Sequence, residues 1–87
     1  MAEKKITLAI GGVDYGFKVS TQDFNNFVNR VGQESKVVPA INLVRGCLVN
    51  KEQKDALNDL IDRGYALDIA GKLIEEFHPE LEIEVKK

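Results

Sequence analysis

Apolar and polar positions alternate twice near the start of the chain. Ile6, Leu8 and Ile10 alternate with Thr7 and Ala9. Beyond Gly11-Gly12, Val13, Tyr15, Phe17 and Val19 alternate with Asp14, Gly16 and Lys18. A period of two puts each apolar set on one face of a strand. The glycine pair supplies the positive-φ positions of a tight turn. Residues 5–19 therefore read as a β-hairpin with a connection of two to four residues. The period then lengthens. Phe24, Phe27, Val28 and Val31 are spaced i, i+3, i+4, i+7, which predicts a helix over 21–31. Ser20 or Thr21 caps it, Asp23 suits its positive pole, and Gly32 stops it.

The middle of the chain is its most apolar stretch. After a loop over 32–38, Pro39 fits the first turn of a helix that continues from Ala40 to Val49. Ile41, Val44 and Leu48 mark one face, and Leu43 and Cys47 lie beside or across from it. Asn50 reads as the N-cap of a helix from Lys51 to Arg63, with Gln53 at the capping-box position. Leu57, Leu60 and Ile61 form its apolar face. A last helix runs from Tyr65 to Phe77. Ala66, Ala70, Leu73, Ile74 and Phe77 share one side of it, while Leu67 and Ile69 point elsewhere. His78-Pro79 ends this helix, and Leu81 to Val85 alternate strictly with Glu82 and Glu84, as a strand over 81–86 does.

The expected architecture is α+β, a single domain over residues 1–87. An N-terminal β-hairpin (5–19) precedes about four helices (21–77), and the C-terminal strand (81–86) pairs with the hairpin as a small antiparallel sheet. Glu82 and Glu84 would then lie near Lys4 and Lys5, opposite charges across neighbouring strands.

Composition narrows the function by exclusion. The chain has 87 residues, enough for one modest core. One cysteine rules out an internal disulfide and a Cys-rich zinc site, and points to a reducing cytoplasm. No apolar run is long enough to span a bilayer. The net charge is −2 with both signs interspersed, which argues against a nucleic-acid partner. His78 with Glu75, Glu76 and Glu80 makes a poor ligand set across a proline break, and reads as a solvated helix end. Cys47 sits between Gly46 and Leu48 with no activating group nearby, and reads as a buried, inert thiol. Asp55, Asp59 and Asp62 are interspersed with Lys51, Lys54 and Arg63, a solvated face. Gly11-Gly12 lacks the pattern of a phosphate loop. No catalytic, metal or cofactor site emerges. What remains is surface: Val37 to Val49 carries more apolar sides than one small core readily uses, so it is either core or interface.

Three segments together resemble the small phage tail assembly chaperones. The opening KKITLAIGGVDYGFKVSTQDFNNFVN is similar to their hairpin-plus-helix start, and SKVVPAINLVRGCLV to their Lys-Val-x-Pro-Ala segment. ALDIAGKLIEEFHPELEIEVKK looks like their closing helix, proline break and short strand. The resemblance implies a non-catalytic protein, phage or prophage encoded and acting in the bacterial cytoplasm. It implies a tape-measure protein as partner, kept soluble during tail morphogenesis, with no membrane or cofactor involved. The family has no catalytic residues to carry over. Apolar excess alone makes Val37, Val38, Pro39, Ile41, Leu43, Val44 and Leu48 the candidate client or homo-oligomer surface. A small tail-completion protein and, less readily, a small DNA-binding regulator are the alternatives.

Overall fold

The computed structural model describes residues 3–31, 36–77 and 85. The two alternating segments form antiparallel strands β1 (Glu3–Ile10) and β2 (Val13–Ser20). Ile10 faces Val13, so the turn is the glycine pair itself, with φ of +59° at Gly11 and +82° at Gly12. A turn left-handed at both positions matches the twist of the strands it joins. Ile6 lies opposite Phe17 and Leu8 opposite Tyr15, which gathers the apolar set of both strands on one face.

Helix α1 (Thr21–Val31) follows without a gap, as its spacing predicts. Helix α2 runs Val37–Cys47, starting earlier and stopping earlier than its pattern suggests. Pro39 is its third residue, a position where the missing N–H has no intrahelical acceptor to lose. Its end is set by tertiary structure. Leu48 turns extended (φ −63°, ψ 126°) and bridges Phe17, while the Val49 N–H donates to the Gly16 carbonyl at 3.0 Å. The outer edge of β2 thus captures the chain where the helical pattern would have carried on.

The predicted helix from Lys51 to Arg63 divides into a 3₁₀ turn, Lys51–Gln53, and α3, Lys54–Asp62. Asn50 caps as expected, accepting from the Glu52 N–H at 3.0 Å. Gln53 does not reach back to close a capping box; its Nε2 donates to the Asp14 carbonyl at 2.9 Å and ties this turn to the hairpin. Gly64, at φ +94°, turns the chain into α4 (Ala66–Phe77).

The fold is α+β, with four α-helices and a two-stranded sheet among the described residues. The predicted third strand at 81–86 lies outside the described residues except for Val85, which is extensively exposed. One core joins the hairpin face to α2, α3 and α4. Phe17, Val19, Val44, Leu57 and Leu73 are its largest fully buried side chains. Ile69 is buried and Leu67 exposed, so α4 is covered on two sides but not all round. No polar or charged residue among those described is buried. Lys4 extends its ammonium to the Glu76 carbonyl at 2.7 Å, a cation at the negative end of α4.

Candidate protein-interaction surface

Helix α1 is amphipathic, yet it contributes no buried residue. Its start is well anchored. The Ser20 Oγ accepts from the Asp23 N–H at 3.1 Å, and Asp23 Oδ2 accepts from the Ser20 N–H at 2.9 Å. This reciprocal pair satisfies two orphan donors and identifies Ser20 as the cap. Further along, α1 rests on a stack of Phe24 against Phe77, ring centroids 5.6 Å apart. Phe27 is only partly buried against the core, and Val28 is half exposed. Between α1 and α2 lies a groove of about 310 Å³, lined on one side by Asp23, Asn26, Phe27 and Arg30 and on the other by Pro39, Asn42, Leu43 and Gly46.

The seven candidate residues on and after α2 occupy distinct environments. Val44 is fully buried and belongs to the core. Pro39 and Leu43 are buried while lining the α1–α2 groove. Leu48 is buried and lines a second groove. Ile41 is partly buried against the core. Val37 and Val38 are exposed at 46% and 58%. The apolar segment therefore supplies both core and surface, and its exposed end is the start of the helix.

The second groove, about 320 Å³, lies between the end of α2 and α3. Leu48, Leu57 and Gly46 line it together with Arg45, Lys51 and Lys54. The pattern of residues does not announce this cationic cluster. Arg45 lies on α2, Lys51 begins the 3₁₀ turn and Lys54 begins α3, and the turn of the chain after Cys47 brings the three around one hollow.

Chemical reactivity is low across these surfaces. Cys47 is buried, and its thiol donates to Asp23 Oδ2 at 3.7 Å. Burial first, then the neighbouring Asp23 carboxylate, raise its pKa from 9.0 to about 12, with Lys51 opposing. The thiolate that a nucleophile requires is thus disfavoured. The aspartates of α3 lie on its surface, with Asp59 paired to Arg63 at 3.1 Å. Among the described residues no group of His, Cys, Asp or Glu is placed to hold a metal ion, and no helix is long and apolar enough to cross a membrane. His78 lies outside the described residues.

Comparison with known proteins gives two findings. A family described as phage tail assembly chaperone matches residues 6–87. An uncharacterized 11.3 kDa protein from the lys 3′ region of Haemophilus phage HP1 (strain HP1c1) is 33% identical over 82 residues, covering 93% of this chain and 79% of the relative. No solved structure matches.

Proposed function

The chain belongs to the phage tail assembly chaperone family, and on that premise we propose that it binds the tape-measure protein without catalysis during tail morphogenesis and keeps it soluble. The observation that carries this reading is the family match across nearly the whole chain. Family membership points to a non-enzymatic role, in keeping with the raised thiol pKa. The proposed setting is the bacterial host cytoplasm. A holdase needs apolar surface that a helical client can cover, on a protein otherwise well solvated. Val37, Val38 and Ile41 supply that surface in this proposal, with Pro39 and Leu43 lining the adjacent groove and Val44 and Leu48 supporting it from within. Weak contacts repeated along a long client gain by avidity, as would contacts among copies of this chain.

Co-expression with the tape-measure protein of the same phage tests the proposal. The client should stay in the soluble fraction and co-purify with this chain. A client equally soluble and unassociated in its presence would overturn the reading. Stoichiometric presence in purified virions would instead favour a tail-completion protein that stays in the particle.

The proposal includes the third strand, residues 81–86 alongside β1. Support comes from Lys4 and Glu76: α4 ends beside the start of β1, whose only strand partner among the described residues is β2. The strand is proposed to pair antiparallel, which brings Glu82 and Glu84 near Lys4 and Lys5. Ile83→Asp should lower the melting temperature by several degrees; wild-type stability would remove the strand from the proposal.

A further inference from the structure

We propose that the groove between α2 and α3 docks an acidic, leucine-bearing helical segment of the client, an inference that rests on the chaperone reading above. Its lining combines two features. Leu48 and Leu57, almost fully buried, close its base, the aliphatic stems of Arg45, Lys51 and Lys54 supply its apolar sides, and Gly46 leaves one wall low, with nothing within 4 Å of a Cβ built there. Arg45, Lys51 and Lys54 are exposed around it.

Lys18, Arg63 and Lys72 pair with Glu3, Asp59 and Glu75. Arg45, Lys51 and Lys54 form no ion pair among the described residues, and the lining includes no carboxylate, although Glu52 and Asp55 are close in sequence. Lys4, Lys5, Arg30 and Lys36 also form no ion pair among the described residues; Arg45, Lys51 and Lys54 differ in lining one groove together, in a chain of net charge −2. Two of the three are held in place by neutral acceptors. The Arg45 Nε donates to Asn58 Oδ1 at 2.9 Å, which leaves the terminal guanidinium nitrogens for other acceptors. The Lys51 Nζ donates to the Leu48 carbonyl at 2.9 Å.

An apolar hollow within unpaired cations complements a leucine flanked by carboxylates. The volume is at the small end for binding pockets, sized for an anchoring side chain rather than a whole ligand. Helix-in-groove recognition by such an anchor, with carboxylates at i±3 or i±4, places acids on the same face as the leucine. A nucleic acid would meet the cations but has no use for the apolar hollow.

The test uses the full chain and two synthetic amphipathic peptides, each with a leucine stripe, one flanked by glutamates and the other by lysines. Fluorescence anisotropy should give the glutamate peptide at least about tenfold tighter binding, weakening with salt. The double variant Lys51→Glu, Lys54→Glu should reverse the preference while its melting temperature falls by a few degrees at most, both positions being exposed and the Lys51–Leu48 hydrogen bond being lost. Amide shifts on titration should centre on Arg45, Leu48, Lys51 and Leu57. Equal affinities for the two peptides, shifts centred on the α1–α2 groove, or tighter binding of single-stranded DNA would each overturn the proposal. So would tighter peptide binding after deletion of residues 81–87, which would make the chain's own tail the occupant. Tape-measure co-purification undiminished in the double variant overturns this groove but leaves the chaperone reading standing; co-purification absent with the wild-type chain overturns that reading itself.

Discussion

Single side chains carry two quite different kinds of anchoring. The Ser20–Asp23 pair holds the start of α1 by hydrogen bonds, so Ser20→Ala should cost about 1 kcal/mol, measured by thermal or denaturant unfolding. Val44 is fully buried, and Val44→Asp places an unpaired charge in the core at a cost of about 3 kcal/mol or more. Loss of association with the fold intact would instead assign Val44 to an interface. Cys47 adds a pH dependence. Its folded-state pKa of about 12 exceeds the ordinary 9.0, so the folded chain keeps a thiol where the unfolded chain becomes a thiolate. That contribution to stability is complete below about pH 9 and declines as pH rises toward 12. Unfolding of wild type and Cys47→Ala across this range should give a shallower alkaline decline for the variant. At this scale much could be read in advance. A buried thiol follows from its apolar neighbours. The choice between Ser20 and Thr21 as cap does not, because both side chains can accept; the strand that ends at Ser20 decides it.

Elements with strict periodicity were legible, and those ended by distant contacts were not. The hairpin, α1 and α4 follow from spacing, turn glycines and caps. Nothing local stops α2 at Cys47, since Leu48 and Val49 continue an apolar pattern. The stop comes from the β2 edge, remote in sequence. The α2–α3 groove was hidden for the same reason, being a product of that stop. The tight turn admits a local improvement. Gly11→Asn should retain the fold and add a few tenths to about 1 kcal/mol, because Asn tolerates φ near +59° and leaves the unfolded chain less freedom. Helix α1 should be the least protected helix in native-state hydrogen exchange, since it buries no side chain fully. Phe77→Ala should speed exchange in α1 further by removing the partner of Phe24. Protection in α1 equal to that of α4 would mean that the two helices open together.

Across the whole molecule the apolar surface is dispersed. Val37 and Val38 start α2, Val28 lies on α1, Val13 on the hairpin, and Tyr65 and Leu67 at the start of α4. Scattered residues of this kind do not by themselves mark one interface. At the start of α2 two of them are neighbours and directly precede Pro39, which lines the α1–α2 groove, and that is why it anchors the proposed client surface. Val37→Ser together with Val38→Ser should reduce co-purification of the tape-measure protein several-fold with little change in melting temperature. Unchanged co-purification would move the contact elsewhere on the molecule.

The contact between Cys47 and Asp23 joins the end of α2 to the start of α1. It also equips the protein with a clock. The sulfur is buried in the folded chain, so a thiol reagent should label it at a rate set by opening of the structure around it. Pulse labelling with and without the proposed client would show whether its binding alters the seam, with no engineered probe.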